Sequence, residues 1–101
     1  MTGSAELLEQ VDLDSLDKGS VIDVETKSRH YRIEYLGGDQ ALISGHPKLC
    51  PTPVRAEIDG SIGHGGIEPG SIRQGMHLVF RRLDDRAPVT TSEITGIRAE
   101  T

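Results

Sequence analysis

From Ser20 onward apolar side chains return at every second residue, and this period limits what the chain can fold into more than any other feature. SVIDVET sets Ile22, Val24 and Thr26 on one face and Val21, Asp23 and Glu25 on the other. RHYRIEY is cleaner, with Tyr31, Ile33 and Tyr35 alternating with His30, Arg32 and Glu34. Successive Cβ atoms leave a pleated backbone in opposite directions, so this alternation marks a strand with one buried and one wet face. QALISG repeats it with Ala41 and Ile43, TPVRAEID with Val54, Ala56 and Ile58, and MHLVFRRL with Met76, Leu78 and Phe80. PVTTSEITGIR ends the series with Val89, Ile94 and Ile97.

The punctuation between these runs is that of a sheet. Lys27-Ser28 is expected to make a tight hairpin, Gly37-Gly38-Asp39 to close the second strand, and Asp84-Asp85 to turn the chain before the last. HPKLCPTP carries Pro47, Pro51 and Pro53, and proline cannot donate to a ladder, so residues 46–53 read as a stiff loop or an edge. Residues 60–75 hold six glycines, with Ile62, Ile67 and Ile72 five residues apart, each expected to pin a short strand to the core. Nine Ile, six Val and turn signals about every eight to twelve residues give an all-β class. The expected architecture is a small six- to seven-stranded barrel or compact sandwich over residues 19–101, a single domain. The barrel is favoured because closure removes open edges.

Residues 1–18 differ. Met1 to Ser4 read as a disordered start. AELLEQV places Leu7, Leu8 and Val11 at helical spacing, with Ser4 as cap, and Leu13 and Leu16 follow at intervals of two and three. A short helix is therefore expected, too short to stand alone and obliged to dock.

Charge follows the same division. Residues 1–23 hold six acids against Lys18 alone, which accounts for the whole net charge of −5, and the remainder is balanced at ten acids and ten bases. A nucleic-acid binder gains affinity from a basic face and stacking aromatics. Tyr31, Tyr35 and Phe80 are the only aromatics, so nucleic acid is not an expected partner. Residues 1–20 lack the basic start and apolar stretch of a secretory leader, and no run approaches the ~18 apolar residues of a membrane span. The expectation is a cytoplasmic chain with no membrane partner.

KGSVIDVETKSRHYRIEY, the Gly-rich middle, the strand from Gly75 to Phe80 and the closing TTSEITGI together carry a resemblance. From about Gly19 to Ile97 the chain resembles small, functionally unassigned bacterial β-barrel proteins. That resemblance implies the fold and brings no activity with it.

Candidate chemistry is sparse. His46, Cys50 and His64 offer nitrogen and sulfur donors that zinc accepts, with His46 and Cys50 four apart in one loop and His64 in another. Their spacing matches no zinc-finger pattern, and three independent loop residues are the plainer reading. Cys50 is a nucleophile only if a neighbouring base such as His46 or Lys48 lowers its pKa; a lone Cys beside Leu49 otherwise reads as a small buried hydrophobe. The glycines of residues 60–70 precede no helix and match neither GxxxxGKS nor GxGxxG, so no cofactor is expected. No GxSxG occurs, and Thr90, Thr91 and Ser92 beside Glu93 form no nucleophile elbow. The outward charges His30, Arg32, Glu34, Arg55 and Glu57 read as a solvated face with cross-strand ion pairs.

These readings lead to a non-enzymatic interaction module that engages a protein partner or a second copy of itself. Leu7, Leu8, Val11, Leu13 and Leu16 are the expected contact residues, capping the chain's own barrel or exchanging with a neighbour. The alternative is a metal- or thiol-dependent enzyme using His46, Cys50 and His64.

Overall fold

The computed structural model describes residues 6–100, apart from the side chains of Glu6, Leu7, Asp85 and Arg86. The strands are β1 (Glu6–Leu8), β2 (Gln10–Asp12), β3 (Val21–Thr26), β4 (His30–Gly37) and β5 (Gln40–Ser44). They continue as β6 (Val54–Gly63), β7 (Gly66–Pro69), β8 (Ser71–Arg73), β9 (His77–Arg82) and β10 (Asp85–Glu100). One 3-10 turn, Leu13–Ser15, follows β2. The all-β class is as the alternation requires.

β3, β4, β5 and β6 form an antiparallel meander. β9 pairs with β6 on one side and β10 on the other, and β10 pairs back onto β3. The pairing path therefore returns on itself as a partly closed ring, with β1 added outside β10 and β7 outside β6 in an eight-stranded sheet. β2 and β8 make a separate two-stranded ribbon.

β10 spans sixteen residues because it serves both ends of this path. Its first part pairs with β9 and its last part with β3, and register shifts lie between Thr90 and Glu93 and between Ile94 and Gly96. Such irregularities bend a strand and increase its twist. At the first, the Thr91 hydroxyl accepts the Leu78 N–H at 3.0 Å. The second explains how Ile94 and Ile97, three residues apart, are both fully buried.

The inward residues of the alternating runs form one cluster. Ile22, Val24, Tyr31, Ile33, Tyr35, Ala41, Ile43, Ala56, Ile58, Leu78, Phe80, Ile94 and Ile97 all belong to it. Removing each large aliphatic or aromatic side chain from water contributes ~1.5–3 kcal/mol, the driving force for the ring. Tyr31 meets Phe80 edge-on at 6.0 Å between centroids. The Tyr35 hydroxyl donates to the Gly38 carbonyl at 2.8 Å, which ties the polar end of a buried ring to the adjoining turn.

Four expectations are corrected. The short N-terminal helix is replaced by strands: Glu6–Leu8 pairs with Ala99–Ile97, and Gln10–Asp12 with Arg73–Ser71. A two-turn helix has little stability of its own, whereas the edges of β10 and β8 offer ready ladder partners. The bend at Glu9 resets the phase, so Leu8 and Val11 both turn inward although three apart. Its proposed cap, Ser4, lies outside the described residues. Second, the β3–β4 connection takes Lys27 to Arg29 rather than two residues, bracketed by Thr26, whose hydroxyl bonds the Arg29 N–H and C=O at 3.0 Å each. Third, the final turn is Leu83-Asp84, one residue earlier, since Arg82 pairs with Asp85. Fourth, Ile72 is buried but Ile62 and Ile67 are not.

Candidate functional site

Two surface regions gather the residues that carry chemistry. The first is the loop that leaves β5. Gly45 sits at φ +126°, and a Cβ there would fall on the carbonyl oxygen of His30, with the Tyr31 Cα at 3.1 Å. Only glycine lets the loop run this close to the start of β4. The Gly45 N–H donates to the Cys50 carbonyl at 2.9 Å, and the Cys50 N–H to the His46 carbonyl at 3.0 Å, closing a six-residue loop. Within it, His46 Nδ1 accepts the N–H groups of both Lys48 and Leu49 at 3.1 Å. The Arg82 guanidinium anchors the Leu49 carbonyl from β9 at 2.9 Å.

This geometry separates the roles proposed for His46 and Cys50. Cys50 is 0% exposed and belongs to the core cluster. Burial raises its thiol pKa, outweighing the His46 hydrogen bond and the Arg82 charge, so the thiol form is favoured. Tyr31, beside it, is likewise raised, first by burial and then by Cys50. His46 is pushed the other way, by burial and by the positive charges of Arg29 and Lys48. Both N–H groups bound to Nδ1 require that nitrogen to be bare, so the neutral ring carries its proton on Nε2.

The second region is the β6–β7 hairpin. Beyond Ile58, β6 leaves β5 and takes β7 instead, turning through His64-Gly65 between the paired Gly63 and Gly66. Gly60, at φ +138°, permits this change of partner; a Cβ there would fall on the Glu68 carbonyl oxygen. Inside, the Ser61 hydroxyl donates to the Ser71 carbonyl at 2.7 Å and fixes the base of the hairpin to β8. Ile62 and Ile67 face each other across the two strands and remain 37% and 47% exposed.

Beside them lies an open depression lined by Ile62, Gly63, His64, Gly75, His77 and Glu93. It shares Gly75 and Glu93 with a broader one of about 470 Å³ that also takes in Glu9, Arg73, Gln74 and Thr95. His77 Nδ1 lies 2.9 Å from the Thr91 carbonyl, an acceptor only, so Nδ1 is the donor of that bond. Glu93 is paired with Lys27 at 3.3 Å, and Arg73 with Glu68 at 3.1 Å.

The candidate ligands His46 and Cys50 thus share one loop, while His64 stands at the tip of a different hairpin. Among the described residues no group of three His, Cys, Asp or Glu side chains is placed to hold a metal ion. Of the five contact residues expected near the N-terminus, Val11 and Leu13 are buried in the chain's own core, and Leu8 and Leu16 pack partly against it. The side chain of Leu7 is outside the described residues.

On the outward face, Arg81 bridges to Asp59 at 3.0 Å and to Glu57 at 3.8 Å, and His30 lies 3.7 Å from Asp23. The expected pairing of the β4 charges with those of β6 is corrected, because β5 lies between the two strands; Glu57 meets Arg81 on β9 instead, and His30 meets Asp23 on β3. Sequence reasoning gave no role to Arg29, His77 or the exposed character of Ile62 and Ile67. The near-symmetry of Ile62-Gly-His-Gly-Gly-Ile67 about a two-residue tip is the signal that would have placed the isoleucines opposite each other.

No family model matches the chain, and no curated protein or solved structure matches it. Fold and surface define an all-β protein with one hydrophobic core cluster and two surface features, a tight His46–Cys50 loop and an apolar-tipped hairpin. Among the described residues no helix is long and apolar enough to cross a membrane.

Proposed function

We propose that this chain is a small barrel that works by binding, and that it engages a protein partner or a second copy of itself through the β6–β7 hairpin. The observation that carries this reading is the exposure of Ile62 and Ile67 as a facing pair. Single exposed apolar residues are ordinary; a paired ridge beside a groove lined with polar groups is the composition of an interface core and its rim. The two side chains leave ~150 Å² in water between them, so covering them contributes about 3–4 kcal/mol. Leu8, Val11, Leu13 and Leu16 turn toward the chain's own core, which moves the proposed contact away from the N-terminal segment. The enzyme alternative gains no support from Cys50, whose burial and raised pKa oppose thiolate chemistry.

The test is a photo-crosslinking residue at His64, which is exposed at the hairpin tip, with a second placed at Arg98 on β10 as control. Irradiation in the cells that make the protein is expected to give a discrete adduct from position 64 and none from position 98. Ile62→Asp with Ile67→Asp should abolish that adduct without unfolding the chain. Equal adducts from both positions, or an adduct indifferent to the two substitutions, would overturn the reading. The mass of the adduct tells a dimer of this chain from a different partner.

A further inference from the structure

The His46–Cys50 loop is fastened by backbone and side-chain hydrogen bonds, and it carries Lys48 beside the connection that carries Arg29. Its backbone is closed by Gly45 with Cys50 and Cys50 with His46, and Arg82 fastens Leu49 from across the ring. Gly45 packs against the His30 carbonyl, so the loop starts beside the β3–β4 connection that carries Arg29. That contact sets Arg29 and His46 each one residue from the point where the two segments touch, and the Lys48 N–H is bound to His46 Nδ1 at 3.1 Å. Neither Arg29 nor Lys48 has a carboxylate partner among the described residues. The Arg82 guanidinium, by contrast, faces the Asp84 carboxylate at 3.5 Å.

Two like charges flanking one imidazole repel each other, and no carboxylate among the described residues forms an ion pair with either. A bound anion would offset that repulsion. His46 contributes a donor at Nε2 while uncharged, because Nδ1 is held bare by the Lys48 and Leu49 N–H groups. An ammonium and an imidazole N–H on one loop, with a guanidinium on the connection beside it, are the donors that a tetrahedral oxyanion accepts.

We propose that Arg29, His46 and Lys48 form a binding site for a phosphate-class dianion, either free phosphate or a phosphomonoester. The site lies on elements other than the β6–β7 hairpin and is independent of that proposal. Binding is weak, because Arg29 and Lys48 are exposed, and it falls as salt rises.

The experiment is a titration of the full chain, followed by amide chemical shifts, with inorganic phosphate and separately with phosphoserine. It is run at about pH 7.5, where both are mostly dianionic, and sodium chloride holds ionic strength constant. Saturable shifts confined to residues 28–30 and 45–50 are expected. Arg29→Gln and Lys48→Gln should each weaken the midpoint about two- to fivefold, and the double variant should lose saturation. Lys48→Arg should keep it. Both positions are exposed, so the variants retain the fold, which their spectra verify directly. Saturation by phosphate alone assigns the free ion; tighter saturation by phosphoserine assigns a monoester. Linear shifts with no saturation, or saturation unchanged in the double variant, would overturn the assignment.

Discussion

Gly45, Gly38 and Gly65 form a graded series that isolates what the His46–Cys50 loop demands of the backbone. Gly65 has no left-handed φ and no neighbour within 4 Å of an added Cβ. Gly38 has φ +60° and equally open surroundings, whereas Gly45 combines φ +126° with the His30 carbonyl in the space a Cβ needs. Gly65→Ala should therefore change stability by no more than about 0.5 kcal/mol. Gly38→Ala should cost about 1 kcal/mol, the penalty for an L-residue in left-handed backbone. Gly45→Ala carries that same penalty at a less favourable angle, about 1–2 kcal/mol. The loop must also retreat from β4, straining the Gly45–Cys50 hydrogen bond for about 1 kcal/mol more, with ~1–2 kcal/mol of lost packing around Cys50. The sum is roughly 3–5 kcal/mol, a large part of the 5–15 kcal/mol typical of a domain. In a chain of this size it lowers the melting temperature by roughly 15–30 °C. Urea titration and thermal melts by circular dichroism read all three variants. If Gly45→Ala costs no more than Gly38→Ala, the loop does not press against the start of β4 and the account of this region is wrong.

Further outcomes follow from the core and its titrating groups. Leu13→Ala should cost about 2–4 kcal/mol in urea unfolding and Leu16→Ala clearly less, since only the first is fully buried; equal costs would detach the N-terminal strands from the core. Cys50 should alkylate with iodoacetamide no faster than the chain opens, so adding urea below the midpoint should accelerate the reaction; rapid labelling of the folded chain would contradict its burial. Cys50 and Tyr31 are both raised in the folded state, so their contributions are complete below their ordinary pKa values and are lost as pH climbs through the raised ones. Stability should accordingly decline on the alkaline side, and Cys50→Ala should flatten part of that decline. Glu100 is raised by its hydrogen bond to Asp23 and by that carboxylate's charge, which gives a contribution present at low pH and lost as the proton leaves. Glu100→Gln should remove this acid-side dependence from the melting temperature, and an unchanged profile would refute the pairing.

The strands were legible wherever alternation ran unbroken. Tyr31, Ile33 and Tyr35 are buried as the period of two demands, as are Ile22 with Val24 and Ala41 with Ile43. Legibility failed where the phase is reset by something other than side-chain pattern. Leu8 and Val11 carry helical spacing, yet a bend at Glu9 between two short strands gives the same inward result. Ile62 and Ile67 share the composition of Ile72, but the departure of β6 from β5 carries them past the core. The His46 and Cys50 residue types were visible as a pair; that one is a surface donor and the other a core atom depends on how Gly45 packs against β4, which no local pattern encodes. Arg29 becomes relevant only through that same long-range contact.

The account rests most heavily on the claim that the chain's function lies in the Ile62–Ile67 ridge rather than in enclosed chemistry. The direct measurement is the yield of the position-64 adduct in the unchanged chain against Ile62→Asp with Ile67→Asp, both shown to be folded. Loss of about 3–4 kcal/mol of contact corresponds to a fall in affinity of more than about a hundredfold, so the adduct should disappear at equal expression. Undiminished yield from a folded double variant would contradict the claim.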